Sequence, residues 1–191
     1  MNTLATVARP RGEFSRAPEN SRAGAWGKGN SPARSISTLI AQQSFFNGLS
    51  GSQLQVLAQA GMEMQFGAGQ WIFQEESPAN RFYHVLEGKV LLELEVAECR
   101  SIPIQILRPG DTLGWSWLLP PGHLRLSARA LMPTRAIFFY GTWIRSQCEQ
   151  DHDLGYELMK RFAEVAAQCL KATQLRLLES CSSYGMTLSG R

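Results

Sequence analysis

The chain has 191 residues, 44% of them hydrophobic and 18% charged, with a formal net charge of +3. That leaves room for one domain of roughly 100–200 residues and is too apolar for a wholly disordered chain. No uninterrupted apolar run approaches the about 18 residues of a membrane-spanning helix, so no membrane partner is expected.

The charge is unevenly placed. Residues 1–34 carry six basic and two acidic groups and are rich in Gly, Ser, Pro and Asn, whereas residues 35–191 sum to −1. A segment with so little apolar surface cannot offset its ordering entropy, so residues 1–34 are expected to form a disordered basic tail. It lacks the apolar core of a secretory signal. Its dispersed charges, without interleaved aromatics, give weak support to a nucleic-acid tether. The four cysteines, Cys99, Cys148, Cys169 and Cys181, form no C-x-x-C pair and have no His at metal-ligand spacing. Scattered thiols fit a reducing compartment, so the cytoplasm is the expected location.

Ile36, Leu39, Ile40 and Phe45 give a short helical pattern that stops at Asn47-Gly48. Ser50-Gly-Ser-Gln53 reads as a capping box for a second helix, with Leu54, Leu57 and Ala58 as its buried stripe and Gly61 as its C-terminal cap. From Met62 the period falls to two. Strands are predicted over 62–66, 71–73, 81–86, 89–96, 102–107, 124–131 and 135–140, with Glu87-Gly88 as a tight hairpin and Arg108-Pro-Gly-Asp111 as a turn. Glu93, Glu95 and Glu98 read as a solvated acidic face that blocks edge pairing. Short strands at this spacing imply a sandwich or jelly roll.

After Tyr140 the helical period returns. Residues 141–150 fit one short helix, and Asp151 or Asp153 caps a longer one to about Glu179, about 40 Å at 1.5 Å per residue. Two apolar stripes run along it: Leu158, Phe162, Val165, Cys169 and Ala172; and Met159, Ala163, Ala166, Leu170, Thr173 and Leu177. Both repeat at the spacings of a helix–helix seam. One stripe is expected to face its own barrel and the other a second subunit, giving a homodimer.

The run from Phe66 to Leu92 carries Phe66, Ala68-Gly69, Ile72-Phe73, Phe82-Tyr83, Val85-Leu86, Glu87-Gly88 and Val90, and Pro109-Gly110-Asp111 and Gly114 follow. This pattern resembles the cyclic nucleotide-binding domain of the catabolite-activator and Fnr-type regulators, over about residues 36–180. The resemblance implies a mainly β fold with flanking helices: an eight-stranded jelly roll (a double-stranded β-helix) and then a long C-terminal helix. The expected organisation is a tail over 1–34, a domain over 35–180 with its roll at 62–140 and helices at 141–180, and a short flexible tail over 181–191. One scaffold position departs from the family. Glu76 stands in a turn that usually carries Gly, so that turn must change or hold a non-Gly residue at positive φ.

The pocket departs further. Members that bind cyclic AMP or GMP carry Gly-Glu, whose Glu accepts from the ribose, and later an Arg that pairs with the cyclic phosphate. Here Trp115 follows Gly114, and Leu124 stands at the Arg column with Arg125 one residue on. A one-residue shift on a strand points a side chain to the other face, although Pro120-Pro121-Gly122 could absorb it. Three readings stay open. Arg125 reaches a phosphate with Ser127 and the N–H groups of Ser116 and Trp117; or the pocket holds another anion or a flat molecule stacked on Trp115 or Trp117; or the tryptophans fill it. Gly114-Trp-Ser-Trp-Leu followed by Pro-Pro is similar to a subgroup of these domains, which favours an altered ligand over a closed pocket, and either over unmodified cyclic AMP recognition. The candidate ligand residues are Gly114, Trp115, Ser116, Trp117, His123, Arg125 and Ser127.

Three histidines without an H-x-H pair argue against a metal site and against a metal enzyme on this scaffold. His84, beside an apolar run, reads as a structural histidine. No G-x-S-x-G elbow, P-loop or dinucleotide fingerprint is present. The expected function is therefore a non-enzymatic, cofactor-free ligand-sensing module. It would take a cyclic nucleotide or another small anionic ligand and signal through its C-terminal helix to a protein effector or second subunit. Two alternatives accompany it: a ligand-free scaffold, and a transcription regulator that has lost its DNA-binding domain. About a dozen residues follow Glu179 and none suggests a recognition helix, so specific DNA binding is not expected.

Overall fold

The computed structural model describes residues 35–96, 100–119 and 122–183. Expectations placed on residues 1–34, Glu98, Cys99, Pro120-Pro121, the Cys181 side chain and 184–191 lie outside the described residues. Helix α1 (Ile36–Ala41) starts at Ser35, whose Oγ accepts from the Thr38 N–H, and a 3-10 turn (Ser44–Phe46) follows. Helix α2 (Gly51–Ala60) opens on the expected capping box. Ser50 Oγ accepts from the Gln53 N–H at 3.2 Å, and Gln53 Oε1 accepts from the Ser50 N–H at 3.0 Å.

The strands are β1 (Gly61–Phe66), β2 (Trp71–Phe73), β3 (Arg81–Glu87), β4 (Val90–Val96), β5 (Arg100–Leu107), β6 (Thr112–Leu113), β7 (Ser127–Ala130) and β8 (Thr134–Tyr140). They form two antiparallel sheets, ordered β1-β8-β3-β6 and β2-β7-β4-β5. This is the expected eight-stranded jelly roll. A 3-10 turn (Trp115–Leu118) lies between β6 and β7, and α3 (Gly141–Gln150) and α4 (His152–Ser183) close the described chain. Asp151 is the cap that separates the two helices, its Oδ1 accepting from the Leu154 N–H at 3.0 Å. No described helix is long and apolar enough to cross a membrane.

The period-2 pattern of each strand feeds two cores. Tyr83 and Val85 on β3 and Ala136 and Phe138 on β8 meet Val90, Leu92 and Ala128 between the sheets. The alternate residues Phe82, Ile137 and Phe139 face the helices, where Ile40, Phe46, Leu57, Ile144, Leu158 and Phe162 cover the β1-β8-β3 sheet. Leu158, Phe162 and Cys169 of the first α4 stripe are buried, while Met159, Leu170 and Leu177 of the second are exposed. Arg161 fastens α4 to the N-terminal turn: Nε donates to the Phe45 carbonyl at 2.7 Å, Nη2 donates to the Asn47 carbonyl, and Nη1 pairs with Glu157.

Three expectations are corrected. Glu87-Gly88 is not a hairpin, because β3 and β4 lie in different sheets; Gly88, at φ 94°, turns the chain between them. A Cβ at Gly88 would stand 2.6 Å from the Pro133 carbonyl, so the close approach requires glycine. Gly61 is the C-cap of α2, as expected, with an extended backbone at φ −98° and its N–H donating to the Ala58 carbonyl; a Cβ there would meet Ile36 Cγ2 at 2.9 Å. Glu93 is not solvated: it is 1% exposed, because β4 is an inner strand and Arg129 covers its carboxylate. The strand expected over 124–131 shortens to Ser127–Ala130, and the two-residue β6 was not among the expected strands.

Candidate ligand site

The segment from Gly114 onward sets the site. Gly114 sits at φ 88°, and a Cβ there would lie 3.0 Å from the Arg81 carbonyl and 3.2 Å from Phe82 Cα. Only glycine lets the chain turn this tightly into Trp115–Leu118. Trp117 then points into the helix-side core, stacked on Phe82 at 5.3 Å and edge-on to Phe162 of α4 at 5.5 Å. It is fully buried, and its indole N–H has no hydrogen-bond partner among the described residues. Trp117 is thus a packing element. Trp115 stays half-buried and lies beside Cys169 of α4. Burial pushes the Cys169 thiol's pKa up, and Trp115 partly offsets the rise.

On the facing side, backbone bonds fix which residue enters the roll. The Leu124 N–H donates to the Ser77 carbonyl at 2.9 Å, and the Leu124 carbonyl accepts from the Glu76 N–H at 3.0 Å. Glu76 holds φ 62°, the second of the two alternatives for this turn. So anchored, Leu124 is buried in the inter-sheet core with Phe73, Leu92 and Leu113. Arg125 points instead to the rim and is exposed. The space at the roll's mouth between Leu124, Phe73, Leu92, Ser116 and Trp115 is about 20 Å³. That holds about one water and no ligand.

Beyond Trp115 the geometry opens. A groove of about 450 Å³ runs between Trp115, Arg125 and Leu126 on one wall and Ala166, Leu170 and Thr173 of α4 on the other. Its size is that of a small-molecule pocket, about 300–1,000 Å³. Among the described residues Arg125 is the one charged group on its walls, and it forms no ion pair with any described carboxylate.

The other candidates lie elsewhere. Ser127 is fully buried on the opposite face of its sheet, where Oγ accepts from the Glu75 N–H at 2.8 Å and donates to the Glu95 carboxylate. His123 is exposed and pairs through its backbone with Pro78. The structure therefore gathers Gly114, Trp115, Ser116 and Arg125 at the rim, and leaves Trp117, His123 and Ser127 outside that cluster. Leu126, Ala166, Leu170 and Thr173 complete the groove and were not among the sequence candidates for ligand binding. The second α4 stripe was their one signal. His84 is structural, as expected: Nε2–H donates to Gln43 Oε1 at 3.2 Å, Nδ1 accepts from the Thr112 hydroxyl at 2.9 Å, and burial lowers its pKa to about 4. Among the described residues no cluster of three or more His, Cys, Asp or Glu could hold a metal ion.

Comparison with known proteins accounts for this scaffold. The sequence profile of the cyclic nucleotide-binding domain matches residues 63–151. A Geobacter metallireducens protein described as a cyclic nucleotide-binding protein is 31% identical, and its crystal structure aligns with a TM-score of 0.64 over 72% of this chain and 98% of its own. The chain belongs to the cyclic nucleotide-binding domain family. The CRP-like cAMP-activated global transcriptional regulator of Mycobacterium tuberculosis is 24% identical over 141 residues, 74% of this chain and 61% of that protein. The chain thus spans about three fifths of the length of the curated relatives it matches. The sensor domain of the transcriptional regulator DNR from Pseudomonas aeruginosa is 19% identical and shares the fold, with a TM-score of 0.58 over 70% of this chain and 90% of its own. Trp115 and Leu124 are the residues of this chain at the two positions where the resemblance would imply a ribose-binding Glu and a phosphate-binding Arg.

Proposed function

We propose that this cyclic nucleotide-binding-type domain is a cytoplasmic sensing module, binding rather than catalytic, for a small anionic ligand. The ligand sits in the groove between Arg125 and α4, not inside the roll. One observation carries the reading: Leu124 closes the interior, while the adjoining groove of about 450 Å³ presents a guanidinium without a counter-ion among the described residues. Trp115 and Arg125 are the assigned ligand contacts, and Gly114 and Ser116 shape the turn that places Trp115.

Signal leaves through α4. Trp115 touches Cys169 and Trp117 touches Phe162, so the 3-10 turn and the long helix move together. A ligand with different affinity for two arrangements of this contact shifts their populations. The exposed stripe Met159, Ala163, Ala166, Leu170, Thr173 and Leu177 pairs with the same stripe of a second copy, its 4-and-3 spacing suiting a two-fold seam. Ala166, Leu170 and Thr173 belong to both seam and groove, so ligand and pairing are coupled.

The test is amide hydrogen exchange on the full chain with a panel of cyclic nucleotides, cyclic dinucleotides and organic carboxylates. A ligand that protects residues 115–117 and 166–173, and loses that effect in Arg125→Ala, supports the reading. Absence of protection by every class overturns it in favour of a ligand-free scaffold.

A further inference from the structure

The chemistry of the groove narrows the ligand class. We infer that it takes an amphipathic monoanion, a carboxylate on an aliphatic or aromatic body, in place of a cyclic nucleotide; this rests on the reading of the groove as the ligand seat. The walls are carbon: Leu126, Ala166, Leu170 and the face of Trp115. The hydroxyl beside them is already committed. The Thr173 hydroxyl donates to the Cys169 carbonyl at 2.9 Å, and Trp115 packs beside Cys169. A nucleotide would bring ribose hydroxyls and a base edge to these walls and leave them desolvated without partners, which penalises binding.

One group remains for an anion. The Arg125 guanidinium offers a planar fork that matches a carboxylate through two parallel hydrogen bonds. The residues from 35 onward sum to −1, so no broad positive field adds a second anionic requirement. One charge at one end and a long apolar trough is the complement of one carboxylate with a hydrocarbon tail. Ala166 keeps the trough open on α4, where a larger side chain would fill it.

The experiment follows intrinsic tryptophan fluorescence of the full chain during titration with hexanoate, octanoate and decanoate below their micellar concentrations. Decanol and cyclic AMP are titrated in parallel. Affinity is expected to rise about two- to fourfold per methylene, the value for partial to full burial of each CH₂. Arg125→Ala is expected to weaken decanoate about tenfold and leave decanol unchanged. Ala166→Leu is expected to remove the gain from octanoate to decanoate. Thermal melts establish that both variants fold. Cyclic AMP binding that depends on Arg125, with no carboxylate binding, overturns this inference and leaves the groove reading standing. If no ligand of either class binds, both readings fall in favour of a ligand-free scaffold.

Discussion

Arg129 on β7 grips Glu93 on β4 through two parallel hydrogen bonds, Nε to Oε1 at 2.9 Å and Nη2 to Oε2 at 3.2 Å, while the Arg129 guanidinium lies 5.2 Å from the Trp71 ring centroid. Ser101 donates to the same carboxylate. The pair braces strands β2, β4, β5 and β7 across the outer face of the second sheet. Arg129→Met would leave a carboxylate that is 1% exposed without its counter-ion. Removing one partner of a fully buried pair costs about 3–5 kcal/mol; because the arginine side is partly exposed, about 2–3 kcal/mol is expected here. Urea denaturation checks the value, and Arg129→Met combined with Glu93→Met should recover most of the loss.

His84 gives the fold an acid limit. Its imidazole, with an ordinary pKa of 6.5, is held neutral by burial down to about pH 4. The unfolded chain takes up that proton near pH 6.5, so between 6.5 and 4 it binds more protons than the folded chain, and stability rises with pH. The contribution is complete above pH 6.5 and is lost as pH falls toward 4, up to about 3 kcal/mol. His84→Gln does not titrate. Its denaturation midpoint should fall less steeply than that of the unaltered chain between pH 6.5 and 4.5.

Glu76 holds a left-handed backbone conformation at φ 62°. That conformation costs a non-Gly residue about 1–2 kcal/mol, and glycine returns part of the gain through its more flexible unfolded state. Glu76→Gly is therefore expected to stabilise the domain by about 0.5 kcal/mol. A thermal melt that shows no increase would refute this.

Leu170 and Leu177 lie on the exposed α4 stripe. Replacing both with Glu puts like charges across the proposed two-fold seam and leaves the monomer's core untouched. Sedimentation velocity should show a dimer for the unaltered chain and a monomer for the double variant, with equal melting temperatures at low concentration. A monomer in both cases removes the seam.

Much of the fold was legible because it is local. The Ser50–Gln53 box, the Asp151 cap and the period-2 runs of β1, β3 and β8 need only neighbours in sequence, and the burial of Leu158 and Phe162 follows from helical spacing alone. The Glu76 turn was legible as one that must either change or hold a non-Gly residue at positive φ, and it does the latter. What escaped depends on distant partners. Glu93 looked solvated because its place in the strand alternation matched Glu95, yet the arginine that buries it is 36 residues away and the ladder shifts between Leu92 and Glu93. Two residues are too few for β6 to show a period. The groove is made by a turn and a helix about 50 residues apart, each apolar for its own reason, and no motif announces their meeting. Counting along the chain already placed Leu124 at the Arg column with Arg125 one residue on; what it left open was a local shift at 120–122, and the two backbone bonds of Leu124 with Ser77 and Glu76 show where Leu124 is anchored.

Arg161 gives the molecule its partition of stiffness. By holding the carbonyls of Phe45 and Asn47 from a position on α4, it makes the N-terminal turn a passenger of the C-terminal helix. A rotation that started at Trp115 and Cys169 would therefore travel backward along the sequence as well as forward. The helices that flank the roll on both sides of it in sequence would then answer together to a displacement of α4.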